Sequence, residues 1–358
     1  MKTLARYLIT EVVRTSLLVL AALLGLFMLF DLMNEVRDLG KGAYSLGKLF
    51  TYVVLLAPGN AYELLPISVL IGGMFSLNLL NQYSEYTVMR TGGLSLARVL
   101  GYLSIAGVFF ALLTLLAGEF LAPVAERTAT QLRLAAKGQV VAQDFRSGFW
   151  LRDKSSFINV REVLPDQSLH YVNVYLFDEQ RRLRFYGYAD RGVWQEQTRA
   201  WRLSDVYLTA LDGERVNVTR LPEYMWHSVL TPDTLSVLLV APEQMSATTL
   251  AGYIDHLRKN KQKTSRYEIA LWSKLFYPLA CLAMLLIALP FAQTQKRAGG
   301  VGVKLFIGIM LGLTFYFVSK LVGHLGLLYD WPPLLAATLP SLLFLTLALF
   351  LLWRQERR

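Results

Sequence analysis

The chain has 358 residues, 54% hydrophobic and only 17% charged, with a mean hydropathy of +0.39. Soluble domains carry about a quarter charged residues, so this deficit over this length points to lipid as part of the solvent and excludes intrinsic disorder. Twenty-five glycines, 12 prolines and a lone cysteine exclude collagen-like chains and disulfide scaffolds, and the net charge of +10 fits nucleic acid, anionic lipid or basic cytoplasmic loops until its location decides.

About 20 apolar residues cross the hydrocarbon core as a helix, because a helix satisfies its own backbone polar groups. The first such segment runs from about Val12 to Met33, uncharged between Arg14 and Asp31. Its apolar core is longer than that of a signal peptide and no small-residue cleavage pattern follows, so a retained span is expected. The second, about Leu49 to Leu80, contains Glu63, Pro58 and Pro66 and is long enough to be tilted, broken or preceded by an interfacial turn. Residues 81–93 then predict a short surface helix ending at Gly92-Gly93. Within it, spacing alone reads Glu85 as a solvated acid near Arg90. The third span covers Val99 to about Ala122.

The insert at residues 123–266 has a different texture. A helix from about Pro123 to Lys137 leads in, and segments 157–163, 171–177 and 201–208 have the alternating, β-branched and aromatic character of strands. Pro165-Asp166, Asp178-Glu179, Asp190-Arg191-Gly192 and Asp212-Gly213 supply turns, and several short strands at this spacing predict an antiparallel sandwich or roll. After Pro242, Ser246 is placed to cap a helix from Ala247 to about Lys259. Arg258, Lys259, Lys261 and Lys263 crowd its C-terminal end, where the macrodipole favours cations.

Three further spans follow within residues 267–358. The fourth is uncharged from Leu275 to Gln295, the fifth runs from about Val303 to Leu325 with Lys320 near its end, and the sixth is uncharged from Trp331 to Trp353. Cys281 lies in the fourth and reads as a small buried thiol. The expected fold is thus membrane α-helical, with six transmembrane helices in a three-plus-three arrangement around an inserted extracytoplasmic all-β domain. Lys2, Arg6 and Arg14, Arg90 and Arg98, Lys296, Arg297 and Lys304, and Arg354, Arg357 and Arg358 fall at one side; Arg37, Lys41, Lys48 and Lys320 fall at the other. The positive-inside rule therefore puts both termini in the cytoplasm and the insert outside it. A basic excess distributed in this way calls for no nucleic acid.

Catalytic chemistry is not legible. There is no H-E-x-x-H, no G-x-S-x-G and no metal cluster, since His170, His227, His256 and His324 are scattered. The stretch Gly299-Gly300-Val301-Gly302-Val303-Lys304 misses the phosphate-loop spacing and reads as a loop entering the fifth span. No catalytic residue, metal or cofactor is expected. Glu63 and Lys320 are either functional charges inside the spans or interfacial groups that snorkel. Gly308-x-x-x-Gly312 fits a close helix approach within this chain or to another.

Several ordered motifs carry a family likeness. They are Ser84-Glu85 with Val88-Met89 and Gly92-Gly93, Gly118-Glu119-Phe120-Leu121-Ala122-Pro123, and Phe149-Trp150-Leu151-Arg152-Asp153. Arg266-Tyr267 with Trp272-Ser273-Lys274 and Pro278 follows, then Pro332-Pro333 and Leu339-Pro340. In order and spacing, over nearly the whole chain, this resembles the LptF/LptG permeases of the bacterial lipopolysaccharide exporter, more closely the G-type members. The resemblance implies a non-enzymatic ABC permease subunit of the bacterial inner membrane whose insert is a periplasmic β-jellyroll-like domain. It implies as partners an F-type permease subunit, a cytoplasmic ATPase dimer, a single-span periplasmic bridge protein and lipopolysaccharide.

The loop at residues 81–93 is then similar to the family's coupling helix, with Glu85, Tyr83, Tyr86 and Arg90 engaging the ATPase. Arg37 and Arg133 match basic positions that contact lipid A phosphates, with Lys41 nearby. Asp31 and Asp38 stand where relatives can carry Lys. Apolar residues of the first and fifth spans, Phe27, Phe30, Phe317 and Leu321, are expected to face acyl chains. Another lipid or lipoprotein exporter differs only in cargo, and a non-transport scaffold for envelope assembly would also show spans plus a β domain.

Overall fold

The computed structural model describes residues 2–137, 148–153, 156–164, 168–178, 180, 182–212, 215–228, 230–232, 241–259, 262–293 and 301–357. The expected turn at Pro165-Asp166, Glu179 and Gly213 of two other turns, Lys261 and Gly299-Gly300 lie outside them.

Six helices are long and apolar enough to cross a membrane, and the chain is a multi-pass membrane protein. They are α1 (Lys2–Val36), α2 (Leu46–Gln82), α4 (Leu96–Leu116), α7 (Ser265–Gln293), α8 (Val301–Leu328) and α9 (Pro333–Glu356), with the short α3 (Glu85–Thr91) joining α2 to α4. Between α4 and α7 come α5 (Ala122–Lys137), six strands, and α6 (Ala247–Lys259). One end of the bundle therefore carries α3 and both termini; the other carries the sheet.

Helix α2 runs unbroken through Pro58 and Pro66. Proline removes one ladder hydrogen bond, a loss that packing of neighbouring helices offsets inside a bundle. The carbonyls that lose a backbone partner are those of Val54 and Tyr62; beside the latter, the Tyr277 hydroxyl of α7 donates to the Glu63 carbonyl (2.8 Å), while Ser68 Oγ donates within α2 to the Leu65 carbonyl (2.8 Å). The third span likewise does not stop at Ala122. It passes through a π-helical turn (Ala117–Leu121) directly into α5. Pro123 has no N–H to offer the carbonyl four residues back, that of Glu119, so the ladder widens just ahead of it.

Helices α2 and α7 form the centre. α7 presents Ala280, Ala283, Ala288 and Cys281, all fully buried, and Cys281 Sγ lies 3.2 Å from Thr114 Oγ1 of α4. α1 and α8 pack on α2. At Gly72 the approach is so close that a Cβ would sit 2.4 Å from Ser16 Cα, and Thr15 Oγ1 donates to the Gly72 carbonyl (3.1 Å). The Gly308/Gly312 pair serves packing within this chain: it lets Met74 and Ile67 of α2 reach α8.

At the sheet end a second small core joins the C-terminal part of α1, the start of α2 and α5 through Tyr44, Leu49, Tyr52, Val53, Ala129 and Ala136. The strands β1 (Phe149–Asp153), β2 (Ser156–Val163), β3 (Leu169–Phe177), β4 (Leu183–Gln195), β5 (Ala200–Asp212) and β6 (Arg215–Trp226) pair antiparallel in chain order. Asp190-Arg191-Gly192, expected as a turn, lies inside β4.

Pairing lapses along one line through Arg161, Tyr171, Asp190, Asp205 and Pro222, with positive φ at Tyr171 (54°) and Asp205 (52°). Such aligned irregularities let one continuous sheet bend over itself. Ile158, Val160 and Val206 before the crease share a single core with Val163, Leu169 and Trp201 beyond it. The strands from which a sandwich or roll is expected form one creased antiparallel meander around this core. Between β3 and β4, the Asp178 carboxylate accepts from the backbone N–H groups of Arg182 (2.8 Å) and Gln180 (2.9 Å). Those bonds hold its carboxyl below the usual range.

Candidate functional site: two ends of one bundle

Three features stand out: α3 at one end, a charged cluster at the other, and exposed apolar faces between. Helix α3 starts after Ser84, whose φ of 60° turns the chain sharply out of α2, and stops at Gly92-Gly93, with φ of +93° at Gly93. Tyr86 is buried in the main core, so α3 is anchored through one face. Tyr83 (73% exposed) and Val88 (67%) stand on the solvent side. Glu85 occupies the first turn, where the macrodipole favours an anion. It accepts a hydrogen bond from the Tyr7 hydroxyl of α1 (2.9 Å). Arg90 donates to the Leu94 carbonyl (3.1 Å) rather than pairing with Glu85. The helix thus gathers Tyr83, Glu85, Tyr86 and Arg90, but Tyr86 faces inward and supports the others.

At the sheet end, Arg133 of α5 lies 2.8 Å from Glu35 and 3.6 Å from Asp38, and over the Tyr52 ring at 5.5 Å. Lys41 pairs with Asp38 at 2.6 Å. Arg37 is exposed and, among the described residues, no pairing is seen for it. Glu35 is buried, and nearby Tyr44 has its hydroxyl pushed well above its ordinary pKa by burial first and by the Glu35 charge second. Arg133, Lys41 and Arg37 are therefore brought together, with two of the three already engaged by carboxylates. Asp31 is turned inward, where Asn60 Nδ2 donates to its carboxylate (2.8 Å).

Depth separates the groups. Glu63 lies about 19 residues from the α3 end of α2 and Lys320 about 19 from the same end of α8, or roughly 29 Å each. That separation is comparable to the thickness of a hydrocarbon core, about 30 Å, and the two charges pair at 3.3 Å. The interfacial reading of these two charges is the one the geometry favours. On α2 this pair is one turn from the Asn60–Asp31 contact. Phe27 and Phe30 of α1 and Phe317 and Leu321 of α8 consequently lie at one depth, on either side of α2, and all four are exposed.

Sequence reasoning did not single out Glu35, Tyr52 or Tyr7. Glu35 and Tyr52 become partners of Arg133 only when α1, α2 and α5 converge, and the Tyr7–Glu85 contact spans 78 positions. No local pattern marks either. Among the described residues no group of three or more His, Cys, Asp or Glu is placed to hold a metal ion.

With this geometry in hand, comparison with known proteins decides the class. A family model described as lipopolysaccharide export system permease LptF/LptG matches residues 6–354. The chain belongs to the LptF/LptG family. It is 30% identical over 352 residues to lipopolysaccharide export system permease protein LptG of Escherichia coli (strain K12), covering 98% of each chain. It is 29% identical over 355 residues to the LptG of Haemophilus influenzae (strain ATCC 51907 / DSM 11121 / KW20 / Rd), covering 99% of each. The motifs that suggested an LptF/LptG permease therefore lie within an end-to-end relationship.

Proposed function

We propose that this chain is the G-type permease subunit of an ABC-type lipopolysaccharide exporter. It extracts lipopolysaccharide from the outer leaflet of the bacterial inner membrane and passes it to a periplasmic bridge. Its termini and α3 are cytoplasmic and its sheet periplasmic. It pairs with an F-type permease subunit, rests on a cytoplasmic ATPase dimer that supplies the hydrolysis, and hands cargo towards a single-span bridge protein.

One observation carries the reading. The exposed apolar faces of α1 and α8 flank the buried α2 at one depth, beneath the cluster of Arg37, Lys41 and Arg133 and opposite an outward-facing α3. Such a face suits a two-part amphiphile, acyl chains against Phe27, Phe30, Phe317 and Leu321, and phosphates towards Arg37 and Arg133. Arginine binds phosphate through charge-assisted hydrogen bonds. In the coupling step, Tyr83, Glu85 and Arg90 meet the ATPase, and the Tyr7–Glu85 bond passes displacement of α3 into α1.

The test is Glu85→Arg in the reconstituted complex. Coupling free energies of 1–3 kcal/mol correspond to roughly 5–150-fold, so lipopolysaccharide release should fall at least about fivefold, with weaker ATPase association. Unchanged release and unchanged association would remove the coupling role.

A further inference from the structure

The segment that returns the chain from the sheet to the fourth span is held from two sides by residues that neither the coupling helix nor the lipid face uses. Glu119 sits in the π-helical turn of the third span. Its Oε2 accepts from the Ala247 N–H (2.7 Å), and its Oε1 accepts from the Thr248 N–H (3.2 Å) and the Thr248 hydroxyl (3.2 Å). These are the first donors of α6, which no earlier turn of that helix can satisfy. Ser246, the cap expected from sequence, accepts from the Thr249 N–H (3.1 Å) and shares hydrogen bonds with the Thr248 and Thr249 hydroxyls (3.0 and 2.7 Å), leaving the Ala247 and Thr248 N–H groups to Glu119. A carboxylate from 128 positions away completes the end of α6.

The second hold comes from the fourth span. Lys274 donates its Nζ to the Met245 carbonyl, two residues before α6, and lies over the Tyr62 ring of α2 at 5.8 Å. The third span has no slack at this level. A Cβ on Gly118 would stand 2.5 Å from the Tyr62 ring, and one on Gly59 would overlap the Glu126 carboxylate. The π-helical turn shifts the helix face so that Glu119 points at α6 while Gly118 seats against α2. α2, the third span and the fourth span therefore converge on residues 245–248.

We propose that Glu119 and Lys274 are positioning residues for export. Together they clamp the return segment of the periplasmic domain to the third and fourth spans, so that bundle motion carries the domain with it. Because the clamp consists of hydrogen bonds rather than continuous chain, it can be released without cutting the polypeptide.

This rests on the export function proposed above. The experiment has two arms on Glu119→Ala, Lys274→Met and the conservative Glu119→Gln, each in the assembled transporter. Hydrogen exchange over residues 246–250 reads the clamp, since amides held by a carboxylate open less often. Lipopolysaccharide released per ATP hydrolysed reads the coupling, a ratio that simple loss of folded protein does not move.

For Glu119→Ala the expectation is about tenfold faster exchange, an opening equilibrium easier by ~1.4 kcal/mol, and at least fivefold less release per ATP with hydrolysis maintained. Glu119→Gln, which keeps one acceptor, should fall between Ala and wild type in both arms and serves if the Ala variant does not assemble. Unaltered exchange, or faster exchange with unaltered release per ATP, overturns the proposal. A wild-type complex that releases no lipopolysaccharide counts instead against the function proposed above, while the exchange arm still reads the clamp.

Discussion

Arg37 and Arg133 were legible together as candidate phosphate contacts, yet their surroundings make them different instruments. Arg133 is committed to Glu35 and Asp38, so reversing its charge would place three carboxylates in one cluster. Removing one partner of such a pair strands a buried acid, a destabilisation of several kcal/mol where burial is complete. Arg37 is exposed, and exposed substitutions usually shift stability by no more than about 0.5 kcal/mol. Arg37→Glu is therefore the cleaner variant: it should weaken binding of phosphorylated lipid A several-fold while leaving dephosphorylated lipid A and thermal stability unchanged. Equal loss for both lipids would count against phosphate recognition. Arg133→Glu should lower the melting temperature as well. The same scale explains what stayed hidden. Lys41 with Asp38 is a local i,i+3 pair that a sequence displays. Glu35 with Arg133 joins α1 to α5 across almost a hundred positions, and only the fold reveals it.

At the level of elements, hydropathy located every span because 20 apolar residues leave few alternatives. It left the second span, with Pro58 and Pro66, open to being tilted, broken or preceded by an interfacial turn, and ended the third near Ala122; the second is one unbroken helix, and the third runs on into α5. Packing between helices is what lets a proline-containing helix run on, and packing is a tertiary property. The strands were likewise legible by alternation, whereas the crease was not. At Asp205, with positive φ, the inward positions of β5 switch from Trp201 and Leu203 to Val206 and Leu208, a one-residue shift that the apolar, exposed Tyr207 hides in the sequence.

Packing between elements gives a further test. Gly72 brings α1 against α2 so closely that any Cβ meets backbone rather than a movable side chain tip. Overpacking of a tight core costs about 1–3 kcal/mol, and here relief requires α1 to move as a unit. Gly72→Leu should accordingly lower the melting temperature in detergent. Gly302→Leu, where a Cβ would meet open space, should leave it unchanged. A Gly72→Leu protein as stable as wild type would show that α1 is not seated as described.

For the whole molecule, the division of labour follows from where charge, aromatic surface and chain termini fall along the bundle axis. Basic residues near Arg90, Arg98 and Arg354 share an end with α3, and the sheet occupies the opposite end. The positive-inside rule concerns such short flanking segments and not long inserted domains, so it predicts an absolute orientation that opposed single-cysteine labelling can read. The native Cys281 is fully buried between α7 and α4, so a membrane-impermeant thiol reagent should give little background in the natural chain. Ala97, in the first turn of α4 beside α3, is exposed and Val218 on β6 is 62% exposed, and neither is assigned to the coupling or lipid contacts, making each a conservative place for a reporter. Ala97→Cys should label only when the cytoplasmic side of the membrane is open to reagent. Val218→Cys should label from the periplasm of cells whose inner membrane is intact. Labelling of both from one side would break the proposed path, because force taken up at α3 would then have no membrane to cross before reaching the domain that receives the cargo.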